Sequence, residues 1–229
     1  MKKLHILFII LFILITINIA VHNNPIRTEG SKEIKEITGS ATGNAPVSFR
    51  IISLCNIYLK EGWNLISICA NMTNRSVESA LKDIDGYYRY VMEWNESSQS
   101  FQIYSPLATQ NPFEELSENM SYFIYLTKTQ DEINAVGSLF GDKEIPLKFG
   151  WNSPIYPYEF ETPILDYLES INNSYRYVMI WNSSSQEFMI FSPLATINSF
   201  TNITAGQGQF IYVSNASGAT IKYDRSALE

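Results

Sequence analysis

Hydrophobic and polar positions along this chain fall into three regimes. From Leu4 to Val21 the run LHILFIILFILITINIAV is almost continuously apolar. From His22 to Pro46 the pattern dissolves into HNNPIRTEGSKEIKEITGSATGNAP, polar and rich in Gly, Ser, Thr and charge. Such a stretch reads as a flexible spacer. From Val47 onward, short apolar runs are separated by turn residues, the pattern of β-strands with one helical interruption in each half.

The third regime is written twice. YRYVMEWNESSQSFQIYSPLAT from Tyr88 returns as YRYVMIWNSSSQEFMIFSPLAT from Tyr175, with 17 of 22 positions identical. LKEGWN at Leu59 returns as LKFGWN at Leu147, and FIY at Phe123 as FIY at Phe210. The chain therefore divides into an apolar helix over residues 1–21, a spacer over 22–46, and repeat units over 47–137 and 138–229. Two copies are too few for a solenoid, which leaves tandem domains or one pseudo-symmetric domain.

Each unit follows one plan. NIYLK, a turn at Glu61-Gly62 and WNLISI predict a hairpin in the first copy; EIPLK, Phe149-Gly150 and WNSPIY predict it in the second. A short helix follows. Val77, Ala80, Leu81 and Ile84 fall at i, i+3, i+4 and i+7, with Gly86 as C-cap. In the second copy Thr162 is the expected N-cap and Pro163 the first helical residue, before Ile164, Leu165, Leu168 and Ile171. The long repeated segment reads as strand, polar turn, strand. Its differences at Ser100, Gln102 and Tyr104 alternate with unchanged Phe101 and Ile103. Side chains alternate faces along a strand, so Phe101, Ile103, Phe188 and Ile190 are expected to face the core and the drifting set solvent. SYFIYLTK with INAVG, and QFIYVS with ATIKY, are expected to pair and close each unit. The order β-β-α-β-β-β-β predicts an α+β fold, mostly antiparallel, with the helix on one sheet face.

Composition and charge narrow the class. With 45% hydrophobic and 14% aromatic residues the chain can fill a core. A net charge of -7 with no basic stripe excludes nucleic acid as a partner. Lys2 and Lys3 before the apolar run form the charged start of an export signal. A cleaved signal peptide would place Ala20 at the cut, but Asn18 two positions earlier is a poor partner. A signal-anchor would place Asn18 near the membrane surface, with a run just long enough to span. Either way the repeat units are expected outside the cytoplasm. The membrane is a partner only if the segment stays uncleaved.

Candidate chemistry is sparse. The only histidines, His5 and His22, precede the repeats, so imidazole-dependent triads and His-ligated zinc have no base or ligand there. Neither catalytic residues nor a cofactor or metal site is expected. Glu93 and Glu96 flank Trp94, but the second copy has Ile180 and Ser183, so a carboxylate pair is not a shared device. Asp83 and Asp85 open like a calcium loop whose further ligands are missing. Cys55 and Cys69 are equidistant from Gly62, so a hairpin turning there would oppose them within disulfide range. Lys143 and Pro157 stand there in the second copy, which makes the bridge a local staple.

Two further sets remain. Trp63, Trp94, Trp151 and Trp181 form matched pairs, with Tyr88, Tyr90, Tyr175 and Tyr177 nearby. Exposed, they would stack on sugar rings; buried, they would pack a core. Asn71, Asn74, Asn95, Asn119, Asn172, Asn182, Asn202 and Asn215 open Asn-x-Ser/Thr sequons. Asn95 and Asn182 share one place, at the tip of the repeated hairpin, where a glycan would stand clear of the fold.

The Gly-Trp-Asn start, the apolar-Asp/Asn step ending the helix, the Tyr-x-x-Val hairpin and the closing aromatic-Ile-Tyr strand resemble the Gly-Trp-Asn repeats of exported archaeal cell-surface and S-layer-associated proteins. Such repeats often have Gly before the last aromatic strand; the second copy has Gly208, the first Ser121. The resemblance implies an envelope or surface role and no enzymatic activity. The expectation is a non-enzymatic exported surface glycoprotein, structural or adhesive, with envelope proteins or glycans as partners. The alternative is a carbohydrate-binding protein using exposed aromatics.

Overall fold

The computed structural model describes residues 53–128 and 130–225. The expected N-terminal apolar helix and the spacer lie outside these residues. Among the described residues no helix is long and apolar enough to cross a membrane.

The first unit holds strands β1 (Ser53–Leu59), β2 (Gly62–Ile66), β3 (Tyr88–Asn95), β4 (Ser100–Tyr104), β5 (Tyr122–Leu126) and β6 (Gln130–Gly137). The second holds β7 (Lys143–Leu147), β8 (Gly150–Asn152), β9 (Thr162–Pro163), β10 (Tyr175–Asn182), β11 (Glu187–Phe191), β12 (Asn202–Ile203), β13 (Gln209–Val213) and β14 (Ala219–Tyr223). Among the described residues the α-helices are single turns, α1 (Val77–Ala80) and α2 (Ile164–Tyr167), each followed by a three-residue 3-10 turn. The fold is therefore mostly β, and the α+β expectation is wrong.

The apolar periodicity is real, but it spans two different turns. Val77, Ala80, Leu81 and Ile84 are all buried. Leu81, at φ −109°, ψ 17°, converts the α turn to 3-10, and Gly86 at φ +75° ends it. Helices this short do not persist alone and are held here by burial. In the second unit the buried set is Ile164, Tyr167, Leu168 and Ile171, while Leu165 points outward. Thr162 does not cap α2. It pairs with Ile203 in a two-residue ladder, and its hydroxyl accepts a hydrogen bond from Tyr156.

Strand partners also differ from expectation. β1 pairs with β6 and β7 with β14, forming two antiparallel ribbons. β2 and β8 instead join four-stranded sheets, ordered β2-β5-β3-β4 and β8-β13-β10-β11. Neither the first two strands of a unit nor its last two pair with each other. The reason lies at the corner. The Asn64 side chain accepts from Lys60 N–H and donates to the Lys60 carbonyl, and Asn152 does the same for Lys148. The corner groups are satisfied by a side chain, so β2 leaves the plane of β1 without a hairpin ladder. The β3–β4 and β10–β11 hairpins form as expected.

In each unit, ribbon and helical turns cover one face of the sheet. Ile57, Ile133, Leu81, Ile84, Val91 and Ile124 belong to one core; Ile145, Ile221, Leu168, Ile171, Val178 and Ile211 belong to the other. The opposite sheet faces pack on each other through a third cluster centred on Leu65, Met92, Phe123, Met179 and Phe210. Each large apolar side chain so buried stabilises the fold by about 1.5–3 kcal/mol relative to exposure. With both sheet faces covered, the expected solvent face disappears. Tyr104 and Phe191, from the drifting set, are buried against their own unit's core, whereas Ile103 is exposed.

Candidate functional site

The contact between the two sheets is built twice from the same residues, with the roles of the units exchanged. Gly62 and Gly150 open β2 and β8 at φ +90° and +96°. A Cβ at Gly62 would meet Gln186 Oε1 at 2.6 Å, and one at Gly150 would meet Gln99 Oε1 at 2.8 Å. Each glycine thus answers both a left-handed backbone and a close approach. The next residue receives the glutamine. Trp63 N–H donates to Gln186 Oε1 (2.8 Å), and Gln186 Nε2 donates to the Trp63 carbonyl (3.0 Å). Trp151 and Gln99 repeat the pair at 2.9 and 3.0 Å. The third residue of the triplet is the Asn that closes the corner. Glycine, tryptophan and asparagine therefore each have an architectural task in both copies.

The glutamines are aimed by the turns of the repeated hairpins. Asn95 Oδ1 accepts from the N–H groups of Ser97 and Ser98, and Asn182 Oδ1 from those of Ser184 and Ser185. This side-chain-closed turn leads into Gln99 and Gln186 at φ +50° and +58°. The tip consequently leans on the other unit. Trp94 Nε1 donates to the Trp151 carbonyl and Trp181 Nε1 to that of Trp63, both at 2.8 Å. Phe101 and Phe188 lie edge-on to Trp94 and Trp181 at 4.8 Å.

The sheet corners are joined the same way. Ser67 N–H donates to Gly206 O, and Ile155 N–H to Asn119 O; Gly208 N–H donates to Leu65 O, and Ser121 N–H to Ser153 O. A Cβ at Gly208 would lie 2.7 Å from the Ile66 carbonyl oxygen, so glycine is required there. Ser121 occupies the matching corner, with its hydroxyl donating to the Pro154 carbonyl at 2.7 Å.

Toward its margin the seam face opens. Trp63, Tyr125 and Tyr90 stand in register on β2, β5 and β3, with ring centroids 5.0 and 6.3 Å apart. Trp151, Tyr212 and Tyr177 repeat the row on β8, β13 and β10 at 5.1 and 6.3 Å. The tryptophans are half-buried and the outer tyrosines exposed. A β-bulge aims each row. Register shifts between Tyr88 and Tyr90, and between Tyr175 and Tyr177. Residues two apart would otherwise share a face. The extra residue sends Tyr88 and Tyr175 into the unit cores and leaves Tyr90 and Tyr177 on the seam face.

The remaining expected sites are dispersed. Cys55 and Cys69 form a disulfide with Cα atoms 5.4 Å apart. It joins β1 to the segment after β2, although those strands are not a hairpin. Asn74, Asn172, Asn202 and Asn215 are exposed, whereas Asn71, Asn95, Asn119 and Asn182 are half-buried. Glu93 is half-buried, accepts from the Tyr122 hydroxyl at 3.3 Å, and has its pKa raised by burial. No group of three or more His, Cys, Asp or Glu side chains that could hold a metal occurs among the described residues. A recess of about 300 Å³ in the first unit is lined by Glu78, Lys82, Asp85, Tyr88, Tyr104 and Pro106. The 87-residue shift places Leu165, Glu169, Asn172 and Phe191 opposite Glu78, Lys82, Asp85 and Tyr104.

Sequence reasoning missed Gln99, Gln186, Tyr125 and Tyr212. A signal was available for the glutamines, which stay identical in a polar turn whose neighbours drift. No protein-family model matches the chain, and neither a curated protein nor a solved structure matches it.

Proposed function

We propose that this chain is a non-enzymatic exported surface protein in which two duplicated modules form one interlocked body, held off the membrane by a spacer and serving envelope structure or adhesion. The observation that carries the reading is what the copies keep. Their shared Gly, Trp, Asn and Gln residues build the seam, whereas Glu78, Asp83, Asp85, Glu93 and Glu96 stand opposite Leu165, Ser170, Asn172, Ile180 and Ser183. A duplicated carboxylate centre would have kept its charges. The Cys55–Cys69 disulfide suits an oxidising compartment. The export-type N-terminus, the spacer and the resemblance to archaeal Gly-Trp-Asn surface repeats support the same address.

Trp94 and Trp181 have their indole N–H groups engaged across the seam, which favours an internal role for these two rings over sugar stacking. The test is mass spectrometry of native protein recovered from its own cell envelope. The expected result is a membrane or surface fraction carrying the disulfide and glycans on exposed sequons such as Asn74 or Asn215. Recovery from the cytosol with Met1 intact and all eight sequons bare would overturn the reading.

A further inference from the structure

We propose that the two aromatic rows at the open margins of the seam, Trp63–Tyr125–Tyr90 and Trp151–Tyr212–Tyr177, are equivalent binding faces for neutral saccharide chains. The inference rests on the surface reading only for where the protein would meet such chains.

The rows are placed with care by the fold. Three adjacent strands each contribute one ring at the same register, so the rings run across the strands in a line. Ring centroids lie 5.0–6.3 Å apart and successive rings are tilted to one another by 52–70°, so a saccharide chain lying across the sheet would meet a ring face or edge on each strand in turn. The outermost tyrosines are 39% and 40% exposed, and Phe149, 53% exposed and 6.2 Å from Tyr212, lengthens the second row. Packing alone does not account for these exposed rings. The bulge at the start of β3 and of β10 keeps Tyr90 and Tyr177 on this face. All six rings are identical between the copies, while buried positions such as Ala80/Tyr167 and Tyr104/Phe191 drift.

The chemistry of the rows selects the ligand. Aromatic faces with phenolic hydroxyls present apolar surface edged by hydrogen-bonding groups, the complement of a sugar ring with its C–H face and peripheral hydroxyls. The overall charge of -7 opposes anionic polymers. With a row in each unit, one molecule holds two chain segments, and weak single contacts gain strength by avidity. That is the behaviour an adhesive or cross-linking surface protein needs.

The test is titration of the purified full chain, at pH 7 and low ionic strength, with hexameric gluco-, manno- and N-acetylglucosamine oligosaccharides. Calorimetry and the NMR signals of the tyrosine and tryptophan rings are the readouts, with a proline-rich peptide in parallel. The proposal expects at least one oligosaccharide to bind two sites per chain. Tyr90→Ala or Tyr177→Ala should leave one site of undiminished affinity and weaken the other about tenfold. The double variant should lose both, with an unfolding midpoint close to that of the parent, because these rings are exposed. Undiminished binding by the double variant, preference for the peptide, or no binding of any oligosaccharide at millimolar concentration would overturn the proposal. Each of these outcomes is independent of where the protein resides, so the surface reading stands or falls separately.

Discussion

Gln186 and Trp63 are 123 residues apart in sequence, yet one side-chain amide satisfies both backbone groups of the other residue, accepting at 2.8 Å and donating at 3.0 Å. The same amide also donates to Ser183 O at 2.7 Å, which ties the hairpin turn to the contact it makes. Removing the side chain leaves the Trp63 N–H and carbonyl without this partner. Gln186→Ala should therefore destabilise the protein by about 1–3 kcal/mol, and Gln99→Ala by a similar amount. Urea unfolding followed by tryptophan emission measures both. Gln186→Glu should be nearly as harmful, since a carboxylate accepts from Trp63 but cannot donate back.

Gly62→Ala and Gly150→Ala act on the other side of this contact. Each introduces a Cβ against a glutamine amide and forces a side chain into a left-handed backbone. A loss of about 1–3 kcal/mol is expected for each. Combining Gly62→Ala with Gln186→Ala should cost less than the sum, because the clash partner is gone. Thermal unfolding of the single and double variants checks the coupling.

How much of this is legible in the sequence depends on the kind of constraint. The repeat, the strand segments, the apolar helical face and the cysteine pair are local or periodic features and can be read directly. Partner choice cannot. Leu59-Lys60-Glu61-Gly62 looks like a hairpin turn because turn residues separate two apolar runs. Only the Asn64 side chain, closing on Lys60, shows that the strands part there. A continuous helix is over-read from i, i+3, i+4, i+7 spacing, which fits an α turn followed by a 3-10 turn equally well. Alternation sends Tyr104 and Phe191 to solvent only if one sheet face is covered, whereas the duplicated sheets cover each other. The bulge at Arg89 and Arg176 leaves no mark in hydrophobic periodicity, so the pattern cannot separate Tyr88 from Tyr90.

The Cys55–Cys69 bridge constrains only the first unit. Reduction, or Cys55→Ser with Cys69→Ser, should lower stability by about 2–4 kcal/mol. Amide exchange should rise first in β1 and β6, since Cys55 lies opposite Ala135 in that ribbon. The β7–β14 ribbon, which has no disulfide, should change less. Hydrogen exchange with mass spectrometry resolves the two.

Tyr156, Tyr167 and Tyr223 form a buried cluster in the second unit, with the Tyr167 and Tyr223 hydroxyls 3.0 Å apart and Tyr223 donating to Ile155 O at 2.7 Å. Burial raises all three phenols above their ordinary value and pushes Tyr158 up to about 12. The unfolded chain releases these protons near pH 10 while the folded chain retains them. Stability from these groups is thus fully present below about pH 10 and falls as pH rises toward the folded values. Phenolate absorbance should show the buried set ionising only as the fold is lost. Tyr167→Phe and Tyr223→Phe should remove part of that late step.

The central claim is that the repeated residues build an internal seam, and indole hydrogen exchange tests it most directly. Trp94 Nε1 and Trp181 Nε1 each donate at 2.8 Å to a backbone carbonyl of the opposite unit. NMR of the native protein should show both indole protons exchanging far more slowly than a free indole, with joint loss of protection in Gln99→Ala/Gln186→Ala. Two indole protons exchanging at the rate of a solvent-exposed tryptophan would contradict the seam.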